Sequence, residues 1–152
     1  MTLLADMSVR SGSTLRIGSG GAATVVVGTH QVRVAAGAEL HLERLVVADS
    51  ERSSAVLAEG TLIANDCTFL RCATTTNTVF ASVEPYVPDG VGAFLGAAGG
   101  AVFSRGTTRI EGCAFLECST SGAKVAAAGG ALFVDTGSHA TVRRTELRGR
   151  AA

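Results

Sequence analysis

Four cysteines are the residues of this sequence best placed to do chemistry. Cys67 and Cys72 form one Cys-x4-Cys pair, and Cys113 and Cys118 repeat it 46 positions later. Three outcomes are open to them. They can stack as small buried side chains, because free Cys is among the most buried residue types. They can form the disulfides Cys67–Cys113 and Cys72–Cys118, because stacked strands place Cα atoms about 4.8 Å apart, within the ~4.4–6.8 Å a disulfide spans. They can bind zinc, but Cys-x4-Cys is looser than the usual ligand spacing and recurs here as part of a strand repeat. No metal site is expected, and the redox state of the four is left open.

The other chemical residue types are scattered. Glycoside hydrolysis normally needs two carboxylates about 5–9.5 Å apart. Asp49, Glu51, Glu59, Asp66, Glu84, Asp89, Glu111, Glu117, Asp135 and Glu146 include no Asp-Asp pair and no Asp-x-Asp. They offer no cluster for a calcium cage. His30, His41 and His139 have no Ser or Cys partner at a recognisable spacing. His41, between Leu40 and Leu42, is expected to face water. Ser11-Gly12-Ser13 and Gly18-Ser19-Gly20-Gly21 lack the Lys and helix of a phosphate loop. Arg143, Arg144, Arg148 and Arg150, with Glu146, read as a solvated outer face, a polyanion site being the sharper alternative. Thr74-Thr75-Thr76 is a single run, not an ice-binding array. No catalytic residue and no cofactor is nominated, and binding residues stay unassigned.

The elements that must position these residues are strands. Of 152 residues, 47% are hydrophobic and 17% charged, which argues against disorder. Gly occurs 19 times, Pro twice and Trp never, which suits short strands separated by tight turns. Thirteen basic and thirteen acidic residues cancel, so bulk charge predicts no nucleic-acid partner. No stretch approaches the ~18–20 apolar residues of a membrane span, and the start Met1-Thr2-Leu3-Leu4-Ala5-Asp6 has no signal-peptide pattern.

Internal repetition sets the fold. Gly99-Gly100-Ala101-Val102-Phe103 returns as Gly129-Gly130-Ala131-Leu132-Phe133. Cys67-Thr68-Phe69-Leu70-Arg71-Cys72 returns as Cys113-Ala114-Phe115-Leu116-Glu117-Cys118, with a degenerate copy at Thr145-Glu146-Leu147. Gly12, Gly37, Gly60 and Gly137 each precede apolar residues spaced by two, such as Leu15/Ile17 and Leu40/Leu42. Spacing by two puts both side chains on one strand face. The runs span three to six residues, and no window keeps a helical period. Units returning every 20–30 residues cannot bury their own apolar face and must stack on their neighbours. The expectation is an all-β, right-handed parallel β-helix. An antiparallel sandwich would also show short strands, but gives no reason for five-residue motifs to recur.

The Gly-Gly-Ala-(Val/Leu)-Phe segments, with a Phe-x-x-polar segment between them, resemble the repeats of polymorphic outer membrane proteins, which carry Gly-Gly-Ala-Ile and Phe-x-x-Asn motifs. The same pattern occurs in extracellular repeat proteins of the pectate-lyase-like β-helix class. The resemblance covers roughly residues 60–150, and Cys72 and Cys118 stand where that family has Asn. It implies a surface-displayed adhesin or passenger segment, and names no reaction.

Residues 77–98 hold both prolines and the only tyrosine, and are expected to leave the stack as a loop insertion in a single unit spanning 1–152. Core-like Val142 and Leu147 near the end suggest a segment of a longer β-helix, flanked by further coils or self-associating at open ends. The functional expectation is a non-catalytic extracellular or cell-surface segment for adhesion, display or scaffolding, with a glycan or surface protein as partner. The alternative is a carbohydrate-active lyase or hydrolase, active or not. An intracellular scaffold with reduced thiols is the third.

Overall fold

The structure is a computed structural model that describes residues 1–51, 54–74, 97–120, 127–128, 130–135 and 137–149. Of the insertion expected at 77–98, only Ala97 and Ala98 fall within these residues. The described residues form strands and no helix, and every strand pairing is parallel.

The described residues repeat one order of elements in five tiers. The first holds β1 (Met7–Val9) and β2 (Thr14–Gly28), and the second β3 (Val32–Val34) and β4 (Glu39–Ser50). The third holds β5 (Val56–Ala58), β6 (Thr61–Asn65), β7 (Thr68–Leu70) and β8 (Ala73–Thr74). After β9 (Ala97–Ala98), the fourth holds β10 (Val102–Ser104), β11 (Thr107–Glu111), β12 (Ala114–Leu116) and β13 (Ser119–Thr120). After β14 (Ala127–Ala128), the fifth holds β15 (Leu132–Val134), β16 (His139–Arg143) and β17 (Glu146–Arg148).

Equivalent strands pair tier to tier. One sheet runs β1-β3-β5-β10-β15, and the larger sheet contains β2, β4, β6, β7, β11, β12, β16 and β17. The short pairs β8–β13 and β9–β14 complete the ladders. Tier length varies widely. Met7 pairs with Val32, Val32 with Val56, Val56 with Val102 and Val102 with Leu132, so successive intervals are 25, 24, 46 and 30 residues. The repeated Gly-Gly-Ala and Cys segments are therefore neighbours one tier apart, with Phe103 on Phe133 and Phe69 on Phe115. The 46-residue interval is a single tier.

β2 and β4 run 15 and 12 residues, longer than the three- to six-residue pieces expected from the sequence. The later tiers split this path into β6/β7 and β11/β12. The split falls at a corner residue of positive φ: Arg44 (52°), Asp66 (53°), Gly112 (63°) and Arg144 (48°) occupy it tier by tier. A second corner follows at Asp49 (59°), Arg71 (51°) and Glu117 (55°). One left-handed residue redirects the strand without an added loop.

On both sides of the first corner side chains alternate inward and outward. Leu40, Leu42, Leu62, Ala64 and Ile110 point in and are buried, as are Val47, Phe69 and Phe115. The Phe69 and Phe115 rings stack at 4.8 Å with 7° between planes, an arrangement worth about 0.5–1.5 kcal/mol beyond area burial. Leu57 and Phe103 are also buried but lie outside this central cluster, so β5 and β10 are covered on both faces.

Candidate binding face and thiol ladder

The outward face of the larger sheet carries three columns set by register. One is Thr14–Glu39–Thr61–Thr107–His139, the next Arg16–His41–Ile63–Arg109–Thr141, and the third Gly18–Glu43–Asn65–Glu111–Arg143. Each tier contributes alternate residues of a strand whose other residues fill the core. Two open clefts lie on this face. Arg16, Gly18, His41, Glu43 and Asn65 line one, and Arg109, Glu111, Thr141 and Arg143 line the other.

Every carboxylate in the columns has a basic neighbour. Glu39 Oε1 lies 2.9 Å from His41 Nε2, Glu43 Oε1 3.5 Å from Arg44 Nη2, and Glu111 Oε1 2.5 Å from Arg144 Nη2. The His41 side chain is only 22% exposed, so it lies along the sheet against Glu39 instead of standing free in water. His30 sits elsewhere, 3.6 Å from Asp6, and the structure brings the three histidines to no common site. Arg143 joins the second cleft, whereas Arg144 and Arg148 pair with Glu111 and Glu146, so the basic run is divided among neighbours.

Charges at the second corner alternate in sign between tiers. Arg71 donates through Nε and Nη2 to both Asp49 carboxylate oxygens, at 2.7 and 3.1 Å, and Glu117 follows in the same column. The hydrogen bonds from Arg71 hold the Asp49 carboxyl below its usual range against the opposing effect of burial, and the Arg71 charge adds to the lowering.

The cysteines form two columns on the inner side, each directly after a corner. Cys67 lies beneath Cys113 and Cys72 beneath Cys118, and none is in a disulfide. Each thiol turns back to the carbonyl two residues earlier: Cys67 to Asn65 at 3.3 Å, Cys113 to Glu111 at 3.4 Å, Cys72 to Leu70 and Cys118 to Leu116 at 3.7 Å. In the fifth tier Thr145 does the same, its hydroxyl donating to the Arg143 carbonyl at 2.8 Å. The Cys113 sulfur also accepts the Cys67 backbone N–H at 3.4 Å. Within each pair the two thiols act on one another. That pushes Cys67 and Cys72 up, with burial adding to the effect, and draws Cys113 down to about 7 and Cys118 down as well. In each pair the first proton thus leaves more easily than the second.

Among the described residues no three His, Cys, Asp or Glu side chains converge as a metal site. The described residues hold no helix long and apolar enough to cross a membrane. The sequence alone pointed to no face, because its columns exist only once the intervals of 25, 22, 46 and 32 residues are known. No family model matches the chain, and no curated protein or solved structure shows significant similarity to it.

Proposed function

We propose that the chain is a segment of a right-handed parallel β-helix that works without catalysis, in adhesion, display or scaffolding at an extracellular or cell surface. The observation that carries this reading is the outward face of the larger sheet. It presents polar columns over five tiers, and its three carboxylates, Glu39, Glu43 and Glu111, are each held by a base. A face built this way suits an extended partner, such as a glycan chain or a surface protein, contacted by several tiers at once. The likeness of the Gly-Gly-Ala and Phe-x-x-polar repeats to those of extracellular β-helical proteins supports the same reading. The handedness follows the near-universal preference of parallel crossovers.

A second reading, a carbohydrate-active enzyme, draws on Glu43 and Glu111. They share a column two rungs apart, about 9.6 Å by strand spacing, just beyond the ~9.5 Å limit for paired catalytic carboxylates. Their ion pairs with Arg44 and Arg144 weigh against it, because each carboxylate is already engaged by a guanidinium.

Two measurements decide. Protease added outside intact source cells removes the immunoblot signal if the chain is surface-displayed, and a fully protected band overturns that placement. Incubation with polyuronate, with and without calcium, yields no depolymerisation, and any turnover retires the non-catalytic reading in favour of the second.

A further inference from the structure

The two thiol pairs share one register but differ in access. Cys67 and Cys113 are 1% and 3% exposed. Cys72 is fully buried, while Cys118 is half-buried and lines an open cleft with Phe115, Gly130, Ala131 and Leu147. Cys118 lies directly over Cys72, since Ser119 donates its N–H to the Cys72 carbonyl at 2.9 Å and pairs with Ala73. The Cys118 sulfur leans back to the Phe69 carbonyl of the Cys72 tier, at 3.4 Å. A reachable thiol with a buried partner beneath it is the arrangement of an attacking and a resolving cysteine.

We propose that Cys118 and Cys72 form a reversible thiol–disulfide exchange site that takes small-molecule disulfides such as oxidised glutathione. The Cys118 thiolate attacks one sulfur of the incoming disulfide. That S–S bond breaks, one small thiolate leaves with the electron pair, and Cys118 carries a mixed disulfide. Cys72 gives up its proton to the departed thiolate, and its sulfur attacks Sγ of Cys118, expelling the second small thiolate. Two protein thiols are oxidised to a disulfide, one small disulfide is reduced to two thiols, and excess small thiol reverses the exchange. The bond staples the third tier to the fourth across the 46-residue interval. The neighbouring Cys72 thiol, which draws the Cys118 thiol below its ordinary value, supports the assignment of roles. Cys67 and Cys113, with the same stacking and no opening, serve as the internal control.

The test treats the folded wild-type chain with oxidised glutathione, quenches with acid, alkylates and maps the peptides by mass spectrometry. The expected product is a Cys72–Cys118 crosslink within one chain, with Cys67 and Cys113 alkylated only after unfolding. C72A accumulates the glutathione adduct on Cys118, and C118A leaves Cys72 reduced. A wild-type chain with no modified cysteine, or linked only between two chains, overturns the proposal, as does Cys72 oxidation at an undiminished rate in C118A. Should a variant fail to fold, the wild-type alkylation order decides. Iodoacetamide should reach Cys118 about tenfold faster than Cys67 or Cys113, and equal rates overturn the assignment.

Discussion

Gly100 sits where the backbones of three tiers converge. A Cβ there would lie 2.5 Å from the Ser119 carbonyl oxygen and 2.8 Å from that of Cys72, and closer still to that of Gly130. These neighbours are main chain and cannot swing aside, so Gly100→Ala should cost about 3 kcal/mol, read as a lower urea midpoint at unchanged slope. The repeated Gly-Gly-Ala motif was legible in the sequence, and the crowding explains its glycine at Gly100, whereas at Gly130 a Cβ would meet only the Cys118 carbonyl oxygen at 3.7 Å. The corner residues were not legible, because Arg44, Asp66, Arg71 and Glu117 adopt left-handed backbone without being Gly. Asp49 adds a pH dependence. Its carboxyl is depressed by Arg71, so its contribution is complete above the unfolded value of about 3.9 and is lost as pH falls through the folded value. Melting temperature should fall less steeply below about pH 4 in D49N than in wild type.

The Val25–Val47–Phe69–Phe115–Leu147 column shows what register does for an element. Phe69 and Phe115 are buried and stacked, while Leu147 in the last tier is 64% exposed. Phe69→Ala should cost about 3–5 kcal/mol and Leu147→Ala under about 1 kcal/mol, compared by urea denaturation. Near-equal costs would mean the column is not continuous. The apolar spacing by two exposed strands such as β2, β4, β6 and β16 to sequence reading, and the duplicated Cys-x-Phe segment exposed the equivalence of β7 and β12. Nothing in the sequence said whether 46 residues held one tier or two, because no second motif counts tiers between Cys67 and Cys113. The outward columns stayed hidden for the same reason. Polar residues such as Arg16, His41 and Arg109 carry no spacing signal of their own and become neighbours only through the register of the apolar residues beside them.

Across the whole molecule, protection against exchange should grade from centre to edge. β4 and β6 have ladders on both sides, whereas β16 and β17 each end a sheet path and have exposed residues throughout. Amides of β6 should exchange at least about tenfold more slowly than those of β16, measured by native-state hydrogen exchange, and uniform protection would show that the tiers open only together. The all-β, parallel character was legible in composition and repetition, since short units that cannot bury their own apolar face must stack. The unequal tier lengths also give the molecule a mechanical signature. Tension on its two chain ends would peel tiers off one at a time, each paying out slack in proportion to its residues. At about 3.4 Å per residue, a 24-residue tier lengthens the tether by about 80 Å and the 46-residue tier by about 160 Å. A single pulled molecule would therefore extend in uneven strides, one of them twice the shortest.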